Sequence, residues 1–192
     1  MRRIWSGIAC GLIAFGLIEL RQSPATAQNT SPSIVWLVRH ADRADDSPDS
    51  PLKKPEGEKR AQDLKTCLSG KGVTAIITTQ KERTVKTADP LASELKKQKS
   101  DFAPKEVMLD ESKLKQHIEA VAAEVRGTSG NVLVVGHSNT VARIIEKLRG
   151  PAGIGNLTVF HRLFELKFSN GNVAFNEMTY GVAPKSSKKK QC

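Results

Sequence analysis

Two short runs of the chain are apolar at every position: Ile34-Val35-Trp36-Leu37-Val38 and Val132-Leu133-Val134-Val135. A strand with one wet face alternates apolar and polar residues, whereas a strand covered on both faces does not. These runs therefore fit strands buried on both faces, as in a parallel sheet flanked by helices. The rest of the pattern agrees. Residues 55–69 carry Ala61, Leu64 and Leu68 at helical spacing, and residues 112–126 carry Leu114, Ile118, Val121 and Val125. Residues 82–97 and 141–148 also read as helices, the first expected to kink or divide at Pro90. Short strands are expected at 73–78 and 107–109, and a closing hairpin at 159–168 and 172–176 around Ser169-Asn170-Gly171. No internal repeat is visible. The expected fold class is α/β: three-layer α/β/α with a mainly parallel central sheet and a C-terminal hairpin.

The two ends of the chain read differently. Arg2 and Arg3 precede an apolar stretch, Ile4 to Ile18, and Ala25-Thr26-Ala27 supplies a small-residue cleavage pattern. Residues 1–27 are expected to be a signal peptide cleaved after Ala27, with export as the consequence. The alternative is an uncleaved membrane anchor. The apolar stretch falls short of the roughly 20 residues a spanning helix needs, and Glu19 closes it. Residues 28–33 read as a linker, 34–182 as one domain, and 183–192 as a basic disordered tail. Cys67 and Cys192 are too few and too far apart to define a disulfide framework or a metal cluster. In an oxidising compartment they could pair, and the sequence leaves that open.

The formal net charge is +10, and loss of Arg2, Arg3, Arg21 and Glu19 would leave +8. That balance suits anionic ligands. Aromatic residues make up 5% of the chain, which leaves no stacking platform for single-stranded nucleic acid. No nucleic-acid motif is present, so no nucleic-acid partner is expected. The run Lys188-Lys189-Lys190 is expected to be solvated, with weak contact to an anionic surface as its one alternative use.

Each apolar run ends on chemistry. Arg39-His40 follows the first, and Gly136-His137 follows the second. In open α/β sheets ligands bind beyond the carboxyl ends of the strands, which is where both histidines fall. A third segment lies between them, from Thr78 through Arg83 to Ala88.

Three segments in this order, Leu37-Val38-Arg39-His40-Ala41, the Thr78 to Ala88 stretch with Arg83-Thr84 and Thr87-Ala88, and Val134-Val135-Gly136-His137-Ser138-Asn139, resemble the histidine phosphatase superfamily, or phosphoglycerate-mutase-like fold. The resemblance spans residues 34 to 180. It implies a small member without a cap domain, since the interval between Ala88 and Asp110 has no room for one. It further implies a metal-independent phosphatase of the histidine acid type, acting on phosphate monoesters or phosphohistidine. His40 would be the nucleophile, giving a covalent phosphohistidine that water hydrolyses. Arg39, Arg83 and His137 would surround the phosphoryl oxygens, since phosphoryl transfer asks mainly for positioning and charge stabilisation. For His40 to attack, its other ring nitrogen must donate to a fixed acceptor. No cofactor is implied. The substrate would be a small phosphorylated compound or a phosphoprotein.

The proton donor is the weakest match. Glu111 is the first candidate and Asp110 the second, while both also suit a helix start as simple dipole partners. Arg43 and Asn139 are candidate substrate contacts. The helix after residue 55 lacks the Ser or Thr common before it in the family, with Lys53 and Lys54 there instead. His117, His161 and Trp36 read as structural.

Other readings compete. A non-catalytic phosphate-binding module would keep the arginines without turnover. Gly136-His137-Ser138 also brushes against the nucleophile elbow of serine esterases, with Ser138 as nucleophile. Thr140 stands where that motif needs glycine, and His161 is the one histidine downstream.

Overall fold

A computed structural model of the chain describes residues 32–182 and 189–192. The expected signal peptide and most of the linker lie outside the described residues. Six strands and four α-helices follow in the order β1 (Pro32–Arg39), α1 (Glu56–Leu68), β2 (Val73–Thr78), α2 (Glu82–Gln98), β3 (Lys105–Glu106), α3 (Leu114–Arg126), β4 (Gly130–Gly136), α4 (Val141–Lys147), β5 (Arg162–Ser169) and β6 (Asn172–Thr179). The sheet order is β3-β2-β4-β1-β5-β6. β3, β2, β4 and β1 run parallel. The hairpin β5–β6 closes the sheet antiparallel to β1.

The all-apolar β1 now has its physical reason. Val35 and Leu37 face the core cluster shared with α3 and α4, while Trp36 and Val38 face the cluster shared with α1 and α2. Successive side chains of a strand point to opposite faces, so a strand between two helix layers must be apolar throughout. Burying one such side chain contributes roughly 1.5–3 kcal/mol. The indole of Trp36 donates to Glu165 Oε2 at 3.2 Å, which satisfies its one polar atom.

Several boundaries differ from expectation. β1 begins at Pro32, inside the expected linker. α2 runs unbroken through Pro90. Proline there removes one hydrogen bond to the carbonyl of Lys86, and Lys86 lies on the exposed side of the helix, where water can take over. β3 is a two-residue strand at Lys105–Glu106 rather than at 107–109. The segment after it is instead held by side-chain bonds from Gln80.

The expected disordered tail is also corrected where it is described. Residues 183–188 lie outside the described residues. Residues 189–192 return to β6: Thr179 N donates to the Lys190 carbonyl at 3.0 Å, and Cys192 N donates to the Thr179 carbonyl at 2.8 Å. Lys189 pairs with Glu177. Cys192 forms a disulfide with Cys67 at the end of α1, 125 residues away in sequence. A basic composition alone favours solvation, but a covalent link and an open sheet edge overrule it.

Candidate active site

Register places the site. Arg39 is the Cα partner of Gly136 across the β1–β4 ladder, so the next residues, His40 and His137, emerge side by side. His40 N donates to the Gly136 carbonyl at 2.9 Å, extending the ladder by one bond. The imidazole centroids lie 5.4 Å apart. β2 flanks β4 on its other side, with Ile77 opposite Val134, which delivers Thr79 to the same level. α2 then starts at Glu82 and brings Arg83 over His137. Arg39, His40, Arg83 and His137 are thus brought together, as the sequence resemblance requires.

His40 is 3% exposed. Its Nδ1 lies 2.8 Å from the Ala41 carbonyl oxygen. A carbonyl only accepts, so Nδ1 carries the proton and Nε2 keeps its lone pair. Burial, with the charges of Arg39, Arg83 and Arg43, pulls the His40 pKa down to about 3, against the bond to Ala41, which raises it. His137 is driven to about 2, first by burial and then by His40 and Arg83. Both imidazoles are neutral across the physiological range.

The arginines are held by the backbone. Arg39 Nη1 donates to the carbonyls of Leu157 and Thr158, at 2.8 and 3.0 Å. The Phe160 ring covers its guanidinium at 3.9 Å, a cation–π contact. Arg83 Nη1 donates to the Pro48 carbonyl at 2.8 Å, and Nη2 lies 3.4 Å from His137 Nδ1. Arg39 Nε and Arg83 Nε find no acceptor among the described residues. Desolvation lowers both pKa values from the ordinary arginine range. A cation pair kept partly dry between two neutral imidazoles is suited to a small oxyanion.

Sequence reasoning missed the residues that hold this set. The Thr87 hydroxyl donates to the Arg83 carbonyl at 2.7 Å and accepts from Ala41 N at 2.8 Å, fastening α2 to the loop after His40. Gly57 allows α1 to approach the same loop: a Cβ there would stand 2.3 Å from the Asp42 carbonyl oxygen. Arg60 Nε then binds Asp42 Oδ2 at 2.5 Å. The threonines after Arg83 were the available signal, since a repeated hydroxyl on a buried helix face needs a partner. Phe160, Leu157 and Thr158 act through a loop whose sequence carries no comparable signal.

The remaining candidates sort by contact. The Asp110 carboxylate accepts from Ser112 N at 2.9 Å and from its hydroxyl at 2.6 Å, so it caps the 3-10 turn at Glu111–Lys113. Glu111 is exposed, and close enough to Arg83 for its charge to favour the guanidinium's charged form. Gln80 fixes this segment by a pair of bonds to the Leu109 backbone, at 2.8 and 2.9 Å. Arg43 pairs with Asp46, and its backbone bridges to Leu52 at the edge of the site. Asn139 is half-buried in the turn between β4 and α4. The Ser138 side chain has no hydrogen bond to a histidine among the described residues, which removes the esterase arrangement, and its carbonyl accepts from Leu157 N at 2.8 Å. His117 Nδ1 meets the Met108 carbonyl at 2.9 Å, a structural contact as expected. α1 carries no side-chain N-cap bond, in keeping with Lys53 and Lys54 before it.

The chain is thus an α/β fold with two histidines and two arginines gathered at the carboxyl edge of its parallel strands. The model of the histidine phosphatase superfamily (branch 1) matches residues 35–105. Among solved structures, the fold is similar to the protein histidine phosphatase SixA complexed with tungstate, at 19% identity and a TM-score of 0.55, over 76% of this chain and 96% of that one. It is also similar to a mycobacterial glucosyl-3-phosphoglycerate phosphatase in complex with VO3, at 12% identity and a TM-score of 0.51, over 79% of this chain and 100% of that one. No curated protein matches the sequence. Over residues 35–105 the sequence is similar to the histidine phosphatase superfamily, and the fold is shared with the solved phosphatases above.

Proposed function

We propose that the protein is a phosphatase that transfers a phosphoryl group to His40 Nε2 and then to water. The observation that carries this reading is the 2.8 Å contact between His40 Nδ1 and the Ala41 carbonyl oxygen, which requires the proton on Nδ1, beside two arginines. The phosphoryl group sits against Arg39, Arg83 and His137. Nε2 attacks phosphorus as the bond to the leaving group breaks, and the charge that develops meets cations already in place. A water then attacks the phosphohistidine, returning free phosphate and neutral His40. No step is assigned to a metal or cofactor. Arg43 is assigned to a second, remote anionic group of the substrate, and Asn139 to the rim. Hydrolysis of an aryl phosphate by the purified protein, lost in His40→Ala, tests the reading. A wild-type protein that binds tungstate without hydrolysing any of a broad panel of phosphorylated compounds is instead a phosphate-binding module.

The substrate class assigned is a phosphate monoester or phosphohistidine, free or on a protein. The site lies at an uncapped sheet edge, and the SixA neighbour is a protein histidine phosphatase. The reading includes export: the disulfide between Cys67 and Cys192 is of the kind that persists in oxidising compartments, in keeping with a cleaved leader at residues 1–27. N-terminal sequencing of the native protein, expected to begin at Gln28, tests it.

A further inference from the structure

We propose that Thr79 is a positioning residue for His137: its buried hydroxyl holds the ring as the Nε2–H tautomer, so that Nδ1, bare in the free protein, takes one proton from solvent when an oxyanion binds beside Arg83. This inference rests on the phosphatase reading and deepens it.

The argument is a count of hydroxyl protons. Thr79 is 2% exposed and Thr84 fully buried at 0%, so neither hydroxyl can turn to water. Thr84 Oγ1 lies 2.8 Å from the Lys81 carbonyl and 3.0 Å from the Thr79 carbonyl. Carbonyls only accept, so the one proton of Thr84 is committed to them. Toward Thr79 the Thr84 oxygen is therefore an acceptor, and Thr79 Oγ1, 3.0 Å away, donates to it. Thr79 Oγ1 has then spent its own proton. At 3.1 Å from His137 Nε2 it can only accept, which puts the ring proton on Nε2. Nδ1 is left with its lone pair toward Arg83 Nη2 at 3.4 Å, a group that only donates. Every contact in the chain runs from donor to acceptor. The opposite tautomer would set an N–H of His137 against an N–H of Arg83.

Burial of His137 first, and then its titratable and charged neighbours, make the second proton conditional. His40 faces it from the end of β1, Arg83 from α2, Lys81 from the turn before α2, and His117 from α3. All oppose protonation in the free protein. A dianion beside them, in contact with both Arg83 and Nδ1, reverses that sum. A proton from solvent then bonds to Nδ1 and points at the oxyanion, while Nε2–H stays on Thr79. One proton is gained and none is lost elsewhere.

Tungstate is the probe, because it binds as a dianion and brings no proton. Calorimetry near pH 7.5 in buffers of different ionisation enthalpy reads proton uptake directly. Uptake near one proton is expected for wild type, for His40→Gln and for Thr79→Ser. Thr79→Val, with a methyl where the acceptor stood, is expected to bind tungstate at least about 10-fold more weakly, the scale of one lost buried hydrogen bond, with little uptake. Tungstate bound by wild type without proton uptake, or Thr79→Val indistinguishable from wild type, overturns the proposal while leaving the phosphatase reading intact. Histidine 15N spectra of the free wild-type protein decide the tautomer without any variant: a His137 proton on Nδ1 overturns the proposal. Absence of both tungstate binding and hydrolysis in the wild type would instead overturn the phosphatase reading.

Discussion

The Nδ1 of His40 lies 2.8 Å from the carbonyl oxygen of Ala41, its neighbour in the chain. This single contact converts an ordinary imidazole into one with a defined, unprotonated Nε2. A brief reaction with an aryl phosphate, quenched cold, should yield an acid-labile phosphoenzyme. His40→Ala should give none. With a pKa of about 3 for His40, its deprotonation should impose no acid limb on kcat/KM between roughly pH 4 and 7. An acid limb near pH 6 that disappears when another group is replaced would identify that group instead.

The same low pKa values act on stability. Unfolded histidines protonate near 6.5, whereas His40 resists until about 3 and His137 until about 2. Between those limits the unfolded chain binds more protons than the folded one. Stability is therefore unaffected by these groups above about pH 6.5, and falls as pH drops toward 3, by up to about 1.4 kcal/mol per pH unit for each histidine. Denaturant titrations of wild type and His40→Gln at several pH values should show the variant losing stability less steeply on acidification. Parallel slopes would contradict the burial assigned to His40.

Arg39, Arg83 and His137 share one anion, so their contributions should not add. Arg83→Ala or His137→Ala is expected to lower kcat/KM on the order of 10²-fold or more, the scale of a lost transition-state donor. The double variant should be much less than multiplicatively worse. Phosphate, vanadate and tungstate should inhibit competitively. Normal kinetics in Arg83→Ala would remove Arg83 from the pocket.

Much of this arrangement was legible because it follows from strand periodicity. Two runs apolar at every position pointed to a sheet buried on both faces, and the residues just after them, Arg39-His40 and Gly136-His137, had to fall at its ligand edge. Arg83 was legible through its threonine-rich context. The positioning contacts were not. Thr79 and Gln80 act through partners 58 and 29 residues away, and Phe160 through a loop without periodicity. Nothing local to those residues encodes the pairing. The return of Gln191 and Cys192 to β6 was hidden for a related reason: composition reports solvation, while a disulfide across 125 residues is a tertiary fact.

That disulfide closes a loop from the end of α1 to the last residue, so its removal should be felt in stability. Loop-closure entropy for 125 residues amounts to about 5 kcal/mol, against about 2–4 kcal/mol for a typical disulfide, and for a chain of this size that is roughly 5–15 °C in Tm. Cys192→Ser, or reduction of the wild type, should lower Tm by that amount. Cys67 lies at the C-terminal end of α1, whereas Gly57 at its other end meets the loop after His40. Hydrolysis of a small aryl phosphate at 25 °C should therefore be unchanged. An unaltered Tm would mean that the pair contributes nothing to the fold.

The proton donor is decided by the leaving group. Asp110 spends its carboxylate on Ser112 N and Oγ, at 2.9 and 2.6 Å, and these bonds keep its pKa below the usual carboxylate range. It is a poor acid and a good cap. Glu111 has no such engagement, and the paired bonds from Gln80 to Leu109 hold its segment beside Arg83. An alkoxide is a poor leaving group at neutral pH and needs a proton as the bond breaks, whereas a phenolate with an acidic parent does not. Glu111→Gln should therefore slow alkyl phosphates by about 10²-fold or more, within the ordinary range for a general acid, and leave acidic aryl phosphates nearly untouched. Asp110→Asn should lower stability slightly without splitting the two substrate classes. Gln80→Ala should reproduce the Glu111→Gln pattern in weaker form, because it loosens the segment without removing the acid. Equal, small effects of Glu111→Gln on both classes would exclude Glu111 as the donor. The substrate would then be of a kind that leaves without help from an enzyme acid, as a phosphoramidate protonated on nitrogen does.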